Sequence, residues 1–366
     1  MNIAIFTPNQ NPYSETFIQA HKHYLKDKVF YYYGVGDHIR LEEHPPLIST
    51  FKRLRLKAVQ LIFNKPKHYI WSKAVLNALK KHNTDVILVE YGTHAHRLMP
   101  VLDEARLPFA VHYHGYDASV DEVIKSHDNY SQVFAQASRV FAVSTVMKNR
   151  LLKEGCLEEK LIYNVYGPQP KFAEVKPEYS NQQFIAIGRF TDKKAPYYTL
   201  FAFQKVLDSY PKARLIMAGQ GTLLNACRNI STHLGIDDNV DFVGVVTPEE
   251  YAQYLSESLA FVQHSITADN GDMEGTPLAV LEASSAGLPV ISTYHAGISD
   301  VIVHRETGLL CKEHDVDLMS KHMIQLLDNK DDAKRMGQAG KAHIKANFSL
   351  ERHISVLQDH LMQICK

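Results

Sequence analysis

Two glutamates eight positions apart, Glu274 and Glu282, bracket the segment Glu274-Gly-Thr-Pro-Leu-Ala-Val-Leu-Glu282. Thr276 is a good N-cap, Pro277 suits a first helical position, and Gly287 follows Ala283-Ser-Ser-Ala286 as a stop. The free N–H groups at such a helix start, near Leu278 and Ala279, favour an anion by roughly 0.3–1 kcal/mol. A phosphate fits there, with Glu274 ahead of the helix and Glu282 just over a turn inside it. Carboxylates on both sides of a diphosphate can take hydroxyls from either end, which suits a sugar, a diphosphate and a ribose in line. Taken without its neighbours, the pair equally suits a solvated helix with glutamates in its first turns.

Cations of the right kind stand earlier in the chain. The apolar run 184–187 leads into Gly188-Arg189-Phe-Thr-Asp-Lys193-Lys194-Ala195. An arginine fork and a lysine ammonium at the carboxyl edge of a parallel sheet can neutralise a diphosphate as it leaves. Lys193 is expected to be solvated. The run 108–114 ends in His112-Tyr-His114-Gly115-Tyr116-Asp117, where a histidine is ordinarily structural. Ser14, Glu15 and Thr16 follow the first strand, at the sheet edge where ligands bind, and can either meet an acceptor or cap the next helix. Gly244 would let backbone approach a base, and Ser265 with the loop Tyr294-His295-Ala-Gly297-Ile-Ser299-Asp300 would line a pocket. Gly219-Gln-Gly221 lacks the third glycine of a dinucleotide fingerprint and reads as a tight turn. The lone Asp-x-Asp of His314-Asp315-Val-Asp317 reads as a helix cap rather than a metal site.

The stretch from Ser265 to Gly297 resembles the donor region of retaining GT-B glycosyltransferases with a Glu-x7-Glu motif, the glycosyl transferases group 1 type, nearest those of exopolysaccharide and colanic acid assembly. The likeness is strong from Arg189 to Asp300 and looser in the first half, where the Ser-Glu-Thr-Phe loop replaces a glycine pair found in many relatives. It implies an α/β GT-B fold: two Rossmann-like domains facing a central cleft, with a C-terminal helix crossing back to the N-terminal domain. It further implies transfer of a hexosyl unit from a UDP- or GDP-sugar, with retention, to a lipid-linked or polysaccharide acceptor. Catalytic roles then fall to His114, Glu274, Arg189 and Lys194. Donor binding falls to Gly188, Gly244, Ser265, Gly275, Thr276, Pro277, Leu278 and Glu282, and acceptor binding to Ser14, Glu15, Thr16 and Asp117, the last either on the acceptor or supporting its turn. The nucleotide-sugar is a co-substrate, and neither metal nor other cofactor is expected. A GT-B epimerase or phosphorylase, or a non-catalytic nucleotide-sugar-binding subunit, remains open beside this reading.

The rest of the chain must position these groups. Its 366 residues allow about two domains, and 45% apolar with 22% charged residues describe an ordinary globular protein. Forty basic side chains balance forty acidic ones, so no overall field argues for nucleic acid. Cys156, Cys227, Cys311 and Cys365 are scattered singly, the start of the chain reads as a first strand instead of a signal peptide, and no run is long enough to span a bilayer. A cytoplasmic location is expected, with one qualification. A helix over 51–63 would put Leu54, Ala58, Leu61 and Ile62 on one face among Lys52, Arg53, Arg55 and Lys57, either lying on an anionic membrane or packed on its own domain.

Strands are expected over 2–7, 29–35, 85–91, 108–114, 139–144, 161–165, 184–187, 213–218, 240–246, 259–263 and 289–293. Helices are expected over 71–82, 94–106, 121–137, 147–154, 248–256, 317–327, 334–347 and 350–365. The proline-rich stretch 167–181 reads as a hinge, giving an acceptor domain over 1–168, a donor domain over 169–345 and a returning helix over 346–366.

Overall fold

The computed structural model describes residues 1–12 and 15–365, so the expectation for Ser14 lies outside the described residues. The chain forms two compact units, Met1–Asn164 joined by Ile354–Lys366, and Val165–His353. The divisions read from composition, at 168/169 and 345/346, both fall inside the second unit. The supposed hinge segment is fastened there: Phe172 is buried against Tyr251 with ring centroids 5.3 Å apart, and Lys171 Nζ lies 3.1 Å from Glu249 Oε1.

In the first unit the strands are β1 (Asn2–Thr7), β2 (Lys28–Tyr33), β3 (Arg40–Leu41), β4 (Val86–Glu90), β5 (Phe109–His112), β6 (Arg139–Ala142) and β7 (Leu161–Tyr163). Their order is β3-β2-β1-β4-β5-β6-β7, parallel except for β3, which runs antiparallel to β2. The second unit holds β8 (Gln183–Ile187), β9 (Arg214–Ala218), β10 (Val240–Gly244), β11 (Ala260–Gln263), β12 (Val290–Thr293) and β13 (Gly308–Cys311), all parallel in the order β10-β9-β8-β11-β12-β13. Both sheets are doubly wound. Strand order reverses between β1 and β4 in one and between β8 and β11 in the other, and each reversal opens a crevice at the carboxyl ends. The central strands are buried along their length, which is why they read as unbroken apolar runs rather than alternating ones.

Several elements depart from the sequence reading, among them the helix Pro196–Leu207, which was not expected. The helix expected over 121–137 breaks at Asp128, Asn129 and Tyr130, which take φ values of 55°, 46° and 55°. Tyr130 is fully buried and its hydroxyl donates to the Asp117 carbonyl at 2.8 Å, so a tertiary anchor overrides helical periodicity. The two-residue β3 and the edge strand β13 were not foreseen. The last helix, Leu350–Ile364, joins the first unit from Ile354 onward: Gln358 Nε2 donates to Asp27 Oδ2 at 2.6 Å and the Lys26 N–H to Gln358 Oε1 at 3.1 Å.

In the second unit the helix Leu278–Ala286 is backed by the helix Lys330–Asn347 through close backbone contact. A Cβ on Gly337 would come within 1.8 Å of the Gly287 carbonyl oxygen. Gly337→Ala must therefore force the two helices apart, and we expect a loss of about 1–3 kcal/mol, read as a lowered thermal midpoint. An unchanged midpoint would show that the contact relaxes freely.

Candidate functional site

Each expected cation of the second unit stands at the β8/β11 reversal. Gly188 follows β8 directly and leaves room for the Lys194 stem, whose Cε would lie 3.3 Å from a Cβ there. The turn Gly219-Gln-Gly221 closes against the same backbone, with the Gly188 N–H donating to the Ala218 carbonyl and the Phe190 N–H to the Gln220 carbonyl, both at 3.0 Å. At φ 128°, a Cβ on Gly219 would sit 2.0 Å from the Gly188 carbonyl oxygen, so this turn is a packing device.

Lys194 Nζ lies 3.2 Å from Glu274 Oε2 and 3.3 Å from Gln263 Oε1, all three side chains largely buried. Burial pulls the Lys194 ammonium below its ordinary range, partly opposed by Glu274. Burial alone would raise the Glu274 carboxyl, but Lys194, Lys193 and His295 outweigh it and hold the group below the usual carboxylate value. Glu274 Oε1 is buried and accepts no hydrogen bond. A buried carboxylate oxygen without a donor is an open acceptor position.

The loop carrying Glu274 is pinned from several directions. Its N–H donates to His295 Nε2 at 3.1 Å, and His295 Nδ1 lies 2.6 Å from Glu313 Oε1, which gives the ring its tautomer. Lys193, expected to be solvated, is instead buried, with Nζ 2.9 Å from Asp272 Oδ1 and 3.1 Å from the Met273 carbonyl. The Gly297 N–H donates to the Gly275 carbonyl, and a Cβ on Gly297 would meet Thr276 Oγ1 at 2.1 Å.

The helix start differs from the sequence reading. Pro277 is the N-cap, its carbonyl accepting from Val280 at 3.1 Å, while Thr276 is buried beneath the Gly297 loop. Leu278 is thus the first helical residue, and among the described residues the N–H groups of Leu278 and Ala279 find no backbone acceptor. Gly287 ends the helix with φ 96° as expected.

Glu282 lies on this helix, half-buried, and burial pushes its carboxyl up to about 7 against an opposing pull from Lys171. Arg189 is exposed at the mouth of the crevice. Gly244 ends β10 at φ 76° with open space where a Cβ would be, and its carbonyl accepts the Gly219 N–H at 2.6 Å. Ser265 does not face a crevice: it is fully buried, its hydroxyl accepting from Gln263 Nε2 at 2.8 Å and its carbonyl accepting from Thr293 Oγ1. Asp315 takes the Leu318 N–H at 2.9 Å as a helix cap.

In the first unit His114 ends the strand–turn after β5 with its ring between those of Phe17 and Tyr91, both 4.6 Å away, and Nε2 2.8 Å from Glu90 Oε2. Asp117 supports the turn and does not reach outward. It is fully buried and accepts the N–H groups of Gly92, His114 and Gly115 at 2.9–3.1 Å. Glu15 is the N-cap residue of helix Thr16–Tyr24 without a side-chain cap bond, and its Oε1 accepts from the Tyr91 hydroxyl at 2.9 Å. Thr16 opens that helix, half-buried. Glu90, His21, Gln263 and Glu313 escaped functional assignment in the sequence, and His295 was placed only in a pocket-lining loop. Only a polar residue ending an apolar run marked Glu90 and Gln263, and nothing in the spacing marked the rest.

Lys193→Ala removes the two bonds its ammonium makes to Asp272 and Met273. We expect a stability loss of about 1–3 kcal/mol, seen in thermal unfolding, with a smaller effect on ligand affinity in the pinned fraction. Undiminished stability with abolished ligand binding would instead put Lys193 on the ligand.

Comparison with known proteins adds family context. Residues 169–343 match the family model described as glycosyl transferases group 1. The chain is 28% identical over 299 residues to the amylovoran biosynthesis glycosyltransferase AmsK of Erwinia amylovora, covering 78% of this chain and 73% of that protein. It is 28% identical over 219 residues to the putative colanic acid biosynthesis glycosyltransferase WcaL of Escherichia coli, covering 58% of this chain; the match spans about half of that relative, 53%. The fold matches that of Anabaena HepE, solved in complex with UDP and glucose, with a TM-score of 0.79 at 14% identity over 99% of this chain and 100% of that one. Two parallel-sheet Rossmann-like units of this order are the GT-B architecture. The stretch that holds Arg189, Lys194, Glu274 and Glu282 accordingly lies within the match to the glycosyl transferases group 1 model, and the fold of the chain is GT-B.

Proposed function

We propose that this protein moves a hexosyl unit from a UDP- or GDP-sugar to a lipid-linked or polysaccharide acceptor, with retention of the anomeric configuration, in the building of a cell-surface glycan. The observation that carries the reading is the buried Glu274 Oε1, an acceptor with no donor, beside the Lys194 ammonium and the open start of the helix Leu278–Ala286. A sugar hydroxyl completes the first, and a diphosphate suits the other two. Arg189 and Lys194 take up the charge that grows on the leaving diphosphate, so no metal is needed for that step. Their loss should fall on turnover rather than on ground-state binding. His114 meets the donor sugar, and Glu282 accepts the ribose hydroxyls.

Incubation with a panel of UDP- and GDP-sugars and acceptor extracts tests this, with donor loss and the anomer of the product followed by NMR. Donor bound but never consumed would favour a binding subunit, and an epimer formed from donor alone would favour an epimerase. Glu282→Ala forfeits charged hydrogen bonds worth about 1.5–3 kcal/mol, so donor affinity should drop roughly 10- to 150-fold. Because the Glu282 carboxyl titrates near 7 and the ionised form accepts more strongly, wild-type affinity should rise between pH 6 and 8. That slope should vanish in Glu282→Gln; an equal slope in both would remove Glu282 from the donor site.

The acceptor side of the proposal includes the membrane. Among the described residues no helix is long and apolar enough to cross one. The helix Thr50–Ile62, however, has no buried residue, and Phe51, Leu54, Leu61 and Ile62 are 79%, 63%, 75% and 75% exposed. At 100° per residue these fall with Ala58 on one outward stripe, flanked by Arg55 and Lys57, while Leu56, Val59 and Gln60 turn toward the unit. Of the two readings the sequence left open, packing on its own domain does not account for this stripe. Aliphatic side chains facing outward between cations suit an anionic leaflet, where each Lys or Arg adds about 1 kcal/mol, and this would hold the protein at the cytoplasmic face of the membrane. Vesicles of phosphatidylglycerol should co-sediment the protein and vesicles of phosphatidylcholine should not, and the triple change Leu54→Ser, Leu61→Ser, Ile62→Ser should abolish the effect. Equal retention by both variants would place the contact elsewhere.

A further inference from the structure

At the β1/β4 reversal of the first unit stands a buried polar cluster that the proposed chemistry does not use. Glu90, the last residue of β4, has no exposed side-chain surface and lies between two imidazoles. His21 Nδ1 is 2.7 Å from its Oε1 and His114 Nε2 is 2.8 Å from its Oε2. The His112 ring stacks on His114 at 4.6 Å and 16°, and the His21 ring lies 5.0 Å from it on another side. Tyr91, next in the chain, takes φ 73°, a conformation unusual for a bulky residue and one the surroundings must enforce. Its hydroxyl is held by Glu15 and its ring is packed on His114.

Glu90, His112 and His114 are close enough together to raise the question of a metal. The spacing answers it. Ligand atoms about 2.0–2.1 Å from a tetrahedral ion stand roughly 3.3 Å from one another, whereas the two Glu90 contacts are hydrogen-bond lengths. Burial raises the Glu90 carboxyl, opposed by the hydrogen bond from His114; as a carboxylate the group is acceptor only, and each ring then directs an N–H toward it.

We propose that Glu90 is a positioning residue for the transfer reaction: as a carboxylate it receives Nδ1–H of His21 and Nε2–H of His114, and so fixes His114 in the tautomer protonated at Nε2 and sets the orientation of its ring. That His114 meets a substrate rests on the function proposed above; that Glu90 sets its tautomer does not. Burial lowers His21 to about 3, which leaves its ring neutral with one N–H to give. His21 clamps the second carboxylate oxygen and leaves Glu90 one remaining direction, toward His114. Asp117, the acid three residues along the same turn, is taken up by three backbone N–H groups.

The direct test is the tautomer itself. Long-range proton–nitrogen correlation spectra of histidine-labelled wild-type chain at pH 7.5, with the signal assigned by His114→Gln, should show His114 protonated at Nε2 alone. An Nδ1–H ring or an imidazolium overturns the proposal, and so does a stoichiometric metal in the purified protein that Glu90→Gln loses. In Glu90→Gln the amide offers one acceptor and one donor, so both rings can no longer donate. The kcat should fall about 10- to 100-fold, as when a carboxylate that orients a metal-bound histidine is lost, while the donor KM stays within about 2-fold. An unchanged kcat, or a loss confined to KM, also overturns it. Should the wild-type chain consume no nucleotide-sugar at all, the proposed function fails while the spectra still decide the tautomer. An active wild type with the wrong tautomer removes Glu90 alone.

Discussion

A buried ammonium facing a buried carboxylate, Lys194 against Glu274, sets the terms for the second unit. Charges withdrawn from water are tolerated only when geometry and further hydrogen bonds compensate the lost hydration. The surroundings meet that requirement. Gln263 takes one side of the ammonium and is itself oriented by Ser265. Lys193 adds a second cation tied to Asp272, and the relay from Glu313 through His295 holds the Glu274 backbone. Gly188 and Gly297 are small where a side chain would push these groups apart. What looks like a flexible loop is thus a preorganised arrangement, paid for by many short contacts, in which one carboxylate oxygen is left open.

The two units solve one topological problem with different chemistry. Each doubly wound sheet concentrates polar residues where its strand order reverses, because strand ends there are uncovered by crossover helices. In the second unit the crevice is cationic and suits phosphates. In the first it is a carboxylate among imidazoles and tyrosines, a set that exchanges hydrogen bonds with hydroxyls but carries little fixed positive charge.

Much of this was legible in the sequence for a physical reason. Strands buried on both faces must be apolar throughout, so β4, β5, β11 and β12 stood out with little more than their ends misjudged. Glu274, Glu282, Arg189 and Lys194 lie in local patterns of turn, cap and spacing that a one-dimensional reading can hold. Glu90 with His21, and His295 with Glu313, are pairs whose partners meet only through the fold. A lone acid at the end of an apolar run carries no sign of what it will face. Thr276 was misread because local rules favour it as a cap, whereas the approach of Gly297 turns it inward and leaves Pro277 at the boundary. Lys193 was misread likewise: two adjacent lysines look alike in sequence, yet one closes on Asp272 and its neighbour on Glu274.

The raised Glu282 carboxyl has a thermodynamic consequence of its own. With a folded value near 7 and an ordinary value near 4.5, the native chain keeps a proton there that the unfolded chain has released, so this group lowers stability progressively as pH climbs from about 4.5 to 7. A guest that requires the anion must expel that proton to the solvent. Below neutrality its docking would then be accompanied by proton release, and calorimetric heats would vary with the ionisation enthalpy of the chosen buffer even though the contacts formed are the same.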